Sequence, residues 1–271
     1  MQPLFGVLQG SGARQLAFFG VIGQLVALHL DVIDLPQQQP LGAGGQGHHH
    51  ALGGGAPALG RTVQLNAQRP ILGRLDDVVQ RIHLIALGRK LGRETEYLVS
   101  RDFLSGQEDK ELLLTRFLHL AFALGPGTVK RMGHPDVAPL YEMKKSLDWE
   151  VDKFQGFVRF EEHDGMLGAV IHPKNYILPL LRGHFCSRFP EENFMIYDAV
   201  HQAVLLYQEH KAQLLELAAP LELPPPSARE QEFQALWKQF YDTLEIKARH
   251  NEKGRMTHCP KRFWQDMVEM R

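Results

Sequence analysis

Cysteine is scarce in this chain of 271 residues, where only Cys186 and Cys259 occur and neither lies in a CxxC spacing. A zinc ribbon or an iron–sulfur cluster needs several closely spaced thiolates, so the sequence argues against a metal centre built by this chain alone. We therefore predict no metal and no cofactor. Two isolated thiols fit a reducing compartment, which favours a cytoplasmic protein.

An excess of one charge is also missing, because 30 Lys and Arg face 31 Asp and Glu, for a formal net charge of −1. This balance argues against a protein that coats nucleic acid by bulk charge, although a local basic patch stays open. The uninterrupted part of the strongest apolar run, Leu16–Leu30, is shorter than the roughly 20 residues of a membrane helix. We predict no membrane partner.

Familiar catalytic fingerprints are absent as well: the chain contains no GxxxxGK[ST], GxSxG, HExxH or CxxxCxxC motif. Their absence leaves open whether the protein is an enzyme and prevents the naming of a reaction.

The first 75 residues differ in composition from the rest, with two acids, four Arg and no Lys. Residues 36–60 are dominated by Gln, Gly, Ala, His and Pro, which offer too little apolar surface to offset chain entropy. We predict a low-complexity arm over 1–87, disordered or misassigned, and one α+β domain over 88–271. His48-His49-His50 lies in the arm and is interpreted as a polar spacer, since adjacent histidines on such a chain fix no coordination geometry.

Apolar periodicity predicts helices in the second part of the chain. Apolar residues of 112–121 share one helix face, and Gly125-Pro126-Gly127 ends that helix. A second helix is predicted after Pro135, with Asp136 as its N-cap and Gly156 as its end.

Three later segments are also predicted to be helical. They are Ile177–Phe189, a helix capped by Ser227 with Glu230 at the capping-box spacing, and Pro260 to about Met270. The middle one carries an apolar stripe, consisting of Phe233, Leu236, Trp237, Phe240, Leu244 and Ile246.

Alternating patterns predict two hairpins between these helices. The first joins Phe157–Phe160 to Met166–Ile171 through an Asp-Gly turn, and the second joins Phe194–Tyr197 to Ala203–Tyr207. The predicted fold class is thus α+β, with an antiparallel sheet from two hairpins packed against several helices and a low-complexity N-terminal arm.

A basic segment near the carboxyl end is the first candidate site. Six basic residues in 247–262 face only Glu252, for a local net charge of +5. Basic side chains beside aromatic rings suit phosphates and unstacked bases. The candidate nucleic-acid contacts are Lys253, Arg255, Lys261, Arg262 and Trp264. The alternative is a solvated loop with Trp264 in the core.

A second candidate site would gather five basic residues of the first hairpin and the helix after it. They are Arg159, His172, Lys174, His184 and Arg188. His184 and Arg188 are four residues apart and share one helix face, so the group can converge on an anion. The alternative is a packed histidine and a surface arginine.

Tyr197, Asp198 and His201 form a third candidate site, in which they relay a proton. The alternative is a turn in which Asp198 accepts a backbone hydrogen bond. Glu150 and Asp152 project about 200° apart at helical pitch, so they do not form a carboxylate pair.

A family resemblance rests on short segments that occur in order along residues 88–271. In the middle of the chain they are Gly156–Phe160, Ile177–Leu181, His184-Phe185, Arg188-Phe189-Pro190 and Ile196-Tyr197-Asp198. In the tail they are Leu236-Trp237, Phe240–Thr243, Asn251, Arg255-Met256 and Pro260–Trp264. Together they resemble the bacterial domain-of-unknown-function family 4130.

The resemblance implies a role in DNA repair or DNA metabolism, beside a separate radical S-adenosylmethionine (radical SAM) protein. Residues 1–75 do not resemble the family's beginning, and where relatives often show an Arg-Glu-Ala-His-like helix, only Glu150 fits. The resemblance assigns no catalytic residues. Our candidates by reactive type at matching positions are Arg159, His184, Arg188, Tyr197 and Asp198.

Three hypotheses follow. The chain is a nucleic-acid-binding accessory of a radical SAM protein, an enzyme acting on a nucleotide or a damaged base, or an interaction module unrelated to DNA. Salt-sensitive DNA affinity would favour the first two over the third.

Overall fold

The computed structural model describes residues 67–70, 75–163, 165–244 and 246–270, with side chains from residue 83 onward except that of Lys247. The strands are β1 Ala67–Pro70, β2 Glu161–His163, β3 Met166–Ile171, β4 Phe194–Asp198, β5 Ala203–Gln208 and β6 Lys211–Leu217. The helices are α1 Leu75–Leu91, α2 Arg93–Asp102, α3 Lys110–Leu124, α4 Ala138–Phe157, α5 Leu178–Arg188, α6 Ala228–Leu244 and α7 Glu252–His258. Short 3₁₀ turns cover Thr128–Lys130, Lys247–Arg249, Lys261–Asp266 and Val268–Met270.

The segment for which composition predicts disorder, 1–87, contains β1 and most of α1. The apolar run from Leu16 and the three adjacent histidines lie outside the described residues, as does the rest of 1–66. The domain boundary at residue 88 therefore stays a prediction.

Helix α3 agrees with its predicted position, and Gly125 ends it with a φ of 79° that favours glycine. For α4 the predicted limits are wrong. Its N-cap is Val137, without a side-chain hydrogen bond, so Asp136 does not cap it. Gly156 lies inside α4, because the rings of Phe154 and Phe157 both pack on Phe263, with centroids 5.0 and 5.2 Å away. This packing outweighs the roughly 1 kcal/mol cost of a helical glycine.

The first hairpin exists, but its first strand is β2 at 161–163 and not the predicted 157–160. The alternation at 157–160 has another cause. Phe160 packs edge-on against Phe185, Phe189 and Phe194, with centroids 5.4–5.8 Å away. It is a half-buried residue that packs against the core just after a helix. Apolar contacts at every second position resemble a strand in sequence.

The sheet has the order β1-β6-β5-β4-β3-β2 and is mixed. The second hairpin, β4–β5, agrees with its predicted position. An all-antiparallel sheet is wrong, however, because β3 and β4 run parallel, with Leu167 opposite Phe194 and Ile171 opposite Asp198. Helix α5 is the crossover between them, which a parallel pair requires.

Strand β6 has no counterpart in the sequence-based prediction. Polar side chains occupy much of Lys211–Leu217, and only Leu214 and Leu215 are buried. It pairs with β5 on one side and with β1 on the other. The segment lacks a regular alternation of apolar and polar residues, so its sequence does not indicate a strand.

Two apolar cores meet along α4. Its first half contributes Leu140 and Met143 to a core shared with α1, α2 and α3, and its second half contributes Leu147 and Phe154 to a core under the sheet and α5. The helix thereby holds the helical layer at a fixed position over the carboxyl end of β3.

The predicted last helix is also wrong, since 261–266 and 268–270 are 3₁₀ turns. Helix α7 precedes them, and its N-cap is Asn251, whose side chain accepts a hydrogen bond from the Gly254 amide at 2.8 Å. Two side chains of the first turn reach separate elements, Arg262 to α4 and Asp266 to the residue after β3.

Candidate functional site

A buried carboxylate on α4 organises a polar cluster beside the loop after β3. Glu150, which is 1% exposed, accepts hydrogen bonds from the backbone amides of Lys174 and Asn175 at 3.0 and 2.8 Å. It also accepts one from the Asn175 side-chain amide at 2.6 Å and pairs with Arg262 Nη1 at 2.7 Å. A buried carboxylate is stable when its oxygens are satisfied in this way.

The loop after β3 is held against the loop between α2 and α3. The Gly106 amide donates to the Asn175 side-chain oxygen at 2.9 Å, and the Tyr176 amide donates to the Leu104 carbonyl at 2.9 Å. Gly106 has no room for a side chain, because a Cβ would stand 2.0 Å from the Lys174 carbonyl oxygen. Glycine is therefore required by close approach of two backbones.

These contacts form the wall of a cavity of about 520 Å³, here called the α4 cleft. Loop 105–107, helix α4, loop 174–175 and Arg262 line it. The exposed side chains on its walls are Gln107, Glu142, Ser146, Trp149 and Lys174. One indole, one ammonium group, one carboxylate, one amide and one hydroxyl suit a small polar ligand with a planar part.

The cleft lies beside the carboxyl end of β3, where ligands bind in many proteins with parallel strands. His172, the residue after β3, has its Nδ1 2.7 Å from Asp266 Oδ1, and its backbone amide donates to Asp266 Oδ2 at 3.2 Å. Asp266 is buried. The pair joins the loop after β3 to the same 3₁₀ turn that carries Arg262.

Asp198, at the end of β4, both makes the predicted turn and pairs with histidine. Its Oδ1 accepts the amides of Val200 and His201 at 3.0 Å, and its Oδ2 lies 2.6 Å from His201 Nδ1. The hydroxyl of Tyr197 instead accepts the Leu221 amide at 3.2 Å. Tyr197 belongs to a core cluster apart from the one under α5, so the three residues do not form one relay.

Arg159 is held in an ion pair. Its guanidinium donates to Glu269 at 2.7 Å from Nη2 and at 3.1 Å from Nε. Burial alone would raise the pKa of Glu269, but the hydrogen bond from Arg159 and other donors hold that pKa below its ordinary value. The contact joins the segment between α4 and β2 to the C-terminal turn.

His184 and Arg188 lie on α5, as predicted, and each contacts a neighbouring ring. The His184 ring lies 4.9 Å from that of Phe185, and the Arg188 guanidinium lies 5.7 Å from that of Phe189. Two other members of the second candidate site pair with different acids, Arg159 with Glu269 and His172 with Asp266. The convergence of the five basic residues on an anion stays a prediction.

The basic segment places its charges around one indole. Trp264 lies with its centroid 4.9 Å from the Arg255 guanidinium and 5.6 Å from the Lys261 ammonium. Its Nε1 donates to the Cys259 carbonyl at 2.9 Å, which fixes the ring. Lys253 is exposed on α7 nearby in sequence. Arg262 departs from this group, because it pairs with Glu150 and lies over Phe263, 4.4 Å from the ring centroid.

A second buried acid lies at the end of α2. Asp102 is 0% exposed, and neither of its carboxyl oxygens has a hydrogen-bond partner among the described residues. Burial raises the pKa of Asp102 to about 8, although Lys144 and Arg101 lower it. Both cations are engaged by Asp148, which forms ion pairs with Arg101 and, at 2.5 Å, with Lys144.

Sequence reasoning placed too little weight on four residues of this region: Glu150, Asn175, Asp266 and Glu269. Their partners lie 24 to 112 positions away in sequence. A signal existed for one of them, because Glu150 is the position that fits the family's acidic helix residue.

No group of three or more His, Cys, Asp and Glu suited to a metal ion occurs among the described residues. Within the same residues, no helix has the length and apolar character needed to cross a membrane.

Fold and site together define a mixed α/β protein whose C-terminal turns bind α4 and the residue after β3. The chain belongs to the family described as Domain of unknown function (DUF4130), whose model matches residues 108–269. This match contains both histidine–aspartate pairs, the Trp264 surroundings and the walls of the α4 cleft except loop 105–107. No curated protein and no solved structure matches the chain.

Proposed function

We propose that this protein is a nucleic-acid-binding accessory in DNA repair or DNA metabolism, and that it binds DNA through the Trp264 patch. The patch consists of Lys253, Arg255, Lys261 and Trp264. The observation that carries the proposal is the indole of Trp264 with two cations within 6 Å of its centroid. Cations bind the phosphates while an aromatic ring stacks on an unpaired base, so the patch favours single-stranded DNA.

The charge at the patch is only partly neutralised. Glu252 lies 3.6 Å from Arg255. Within the described residues, no carboxylate lies within 4.0 Å of Lys253 or Lys261. In a chain of net charge −1, these ammonium groups supply a local attraction that falls with added salt.

The family resemblance supports the rest of the proposal. It implies a bacterial DNA-metabolism protein beside a separate radical SAM protein. The two isolated cysteines favour the cytoplasm as its location. Arg262 and Asp266 lie in the same 3₁₀ turn as Lys261 and Trp264, and they bind Glu150 and His172. The turn therefore has a fixed position relative to the α4 cleft. A fixed position suits a protein that presents DNA to a partner enzyme.

The test is the affinity of the full chain for single- and double-stranded DNA across a salt series. We expect log Kd to rise linearly with log salt, and each of Lys253→Ala and Lys261→Ala to reduce the slope by about 1. Lys145→Ala, which removes an exposed lysine on α4 away from the patch, is the matched control and leaves the slope unchanged.

Two outcomes would contradict the proposal. One is the absence of DNA binding at low salt, which would leave an interaction module unrelated to DNA as the better description. The other is binding that Lys145→Ala weakens as much as the patch variants do, which would indicate attraction without a site.

The α4 cleft favours a second candidate function, an enzyme acting on a nucleotide or a damaged base. Its volume lies within the range of small-ligand sites, and Trp149 and Lys174 supply a ring surface and a cation for a base and a phosphate. Ser146→Trp should fill the cleft and abolish nucleoside monophosphate binding or turnover, while Lys145→Ala should not. If the filled variant acts like the unaltered protein, the cleft is not the site.

A further inference from the structure

Helix α6 turns its polar side toward the body of the protein. Its half-buried residues are Glu230, Gln234 and Tyr241. Glu230 accepts the Glu162 amide at 3.2 Å and the Gln234 side-chain amide at 3.0 Å. The Tyr241 hydroxyl lies 4.0 Å from Met270 Sδ. The Trp237 side chain also hydrogen-bonds Glu269 of the C-terminal turn. The helix is thus attached through polar groups, and none of its residues is buried.

The large apolar side chains of α6 are exposed to solvent, by 42–62%, and are here called the α6 stripe. The stripe consists of Phe233, Leu236, Trp237, Phe240 and Leu244, followed by Ile246 after the helix. Trp237 and Phe240 lie with centroids 5.7 Å apart. An amphipathic helix normally buries its apolar face. An exposed apolar face of this size indicates an interaction surface.

We propose that a second copy of this chain covers the α6 stripe, with the two helices antiparallel about a twofold axis. The spacing of the stripe, i, i+3, i+4 and i+7, permits this occupant. About a midpoint between Leu236 and Trp237, Phe233 and Phe240 stand at equal distances. An antiparallel pair therefore places Leu236 opposite Trp237 of the other copy, and Phe233 opposite Phe240. Self-complementarity of this kind is what a twofold interface requires.

The area of the stripe fits a dimer. A large apolar side chain of which half is exposed contributes about 100 Å², so six contribute about 600 Å² per copy. Two copies then bury about 1,200 Å², which lies at the lower limit of specific interfaces. Helices with such side chains pack 8–10 Å apart, close enough for both rows to interdigitate.

The test is the mass of the full chain by light scattering or sedimentation over a concentration series, with Leu236→Glu and Phe240→Glu as variants. We expect a dimer for the unaltered chain and monomers for both variants, with unchanged circular dichroism because these side chains lie outside the cores. Met132→Glu is the matched control, since Met132 is 59% exposed but lies outside the stripe, and it should remain dimeric.

A monomer at every concentration would overturn the proposal. Binding of an apolar dye to that monomer, lost in Leu236→Glu, would show an open stripe that awaits another protein. Exclusion of the dye would show that other residues of the same chain cover it. A dimer that survives both Glu variants would also overturn the proposal, because its interface would lie elsewhere.

Discussion

Arg262 and Glu150 form an ion pair, 2.7 Å from Nη1 to Oε1, that joins the C-terminal 3₁₀ turn to α4. Glu150 is 1% exposed, and the same carboxylate holds the backbone of the loop after β3. One buried acid thus fixes three elements that are distant in sequence.

Removing this acid should therefore destabilise the whole protein. We expect Glu150→Ala to lower the free energy of unfolding by about 3–5 kcal/mol, because it leaves Arg262 and three amide donors without their acceptor. Urea unfolding measures the loss. Asp152→Ala, an exposed acid on the same helix, is the control and should change stability by less than about 0.5 kcal/mol. Equal effects of the two variants would contradict the role given to Glu150.

The two neighbouring cations Lys261 and Arg262 should behave differently. Arg262→Ala leaves the buried Glu150 carboxylate without its cation, so we expect a loss of about 3–5 kcal/mol in the free energy of unfolding. Lys261→Ala removes an exposed ammonium beside Trp264, so we expect weaker DNA binding and unchanged stability. Unfolding curves and DNA titrations of both variants separate the effects. Lower DNA affinity in a fully folded Arg262→Ala protein would show that the ion pair is not required for the fold.

The close approach at Gly106 gives a steric prediction. In Gly106→Ala the new methyl group would lie 2.0 Å from the Lys174 carbonyl oxygen, so one loop must shift. We expect a loss of about 1–3 kcal/mol, together with altered ligand binding in the α4 cleft. Gly133→Ala is the matched control, since a Cβ there meets nothing within 4 Å. Thermal or urea unfolding of both variants measures the change in stability. An unchanged free energy of unfolding in Gly106→Ala would contradict the packing described.

Asp102 gives a prediction for the pH dependence of stability. Its pKa is about 8 in the folded protein, against an ordinary value of 3.8. Between these values the folded protein keeps a proton that the unfolded chain loses. The stability contribution is thus fully present at acidic pH and declines as pH rises through this window, by at most about 1.4 kcal/mol per pH unit.

The variant Asp102→Asn cannot titrate, so its stability relative to the unaltered protein should rise from pH 5 to pH 8 and then level off. Denaturant unfolding at several pH values measures this difference. Asp152 is exposed on α4, so the free energy of unfolding of Asp152→Asn should vary with pH as that of the unaltered protein does. A difference that does not vary with pH would show that Asp102 is ionised in the folded state.

Local sequence patterns predicted several elements correctly. The apolar face and the following glycine marked α3, and the turn at Asp198 marked the β4–β5 hairpin. Ser227 caps α6 as its spacing to Glu230 predicts, with the Glu230 amide 3.1 Å from the Ser227 hydroxyl oxygen. In each case the residues that decide the structure lie within a few positions of each other.

Local sequence patterns predicted only part of the candidate site. The sequence marked Asp198 and His201, which do pair, and marked the basic segment whose Arg255 and Lys261 flank Trp264. It gave no sign that Arg262 turns away to Glu150, or that Arg159 and His172 bind acids of the C-terminal turns. Those pairs join residues about 90 to 110 positions apart, and nothing in the local pattern specifies them.

By itself, then, the sequence determined the charge balance, several helix and strand positions, the basic segment and the resemblance to a family that the match over residues 108–269 establishes. Composition, periodicity and capping act over a few residues and can be read directly. Only the tertiary structure decided that β3 and β4 run parallel, that Glu150 is the buried centre of the site, and that α6 turns its apolar stripe outward. Strand direction, partner choice and helix orientation depend on how distant segments pack, and a local pattern is compatible with more than one such packing.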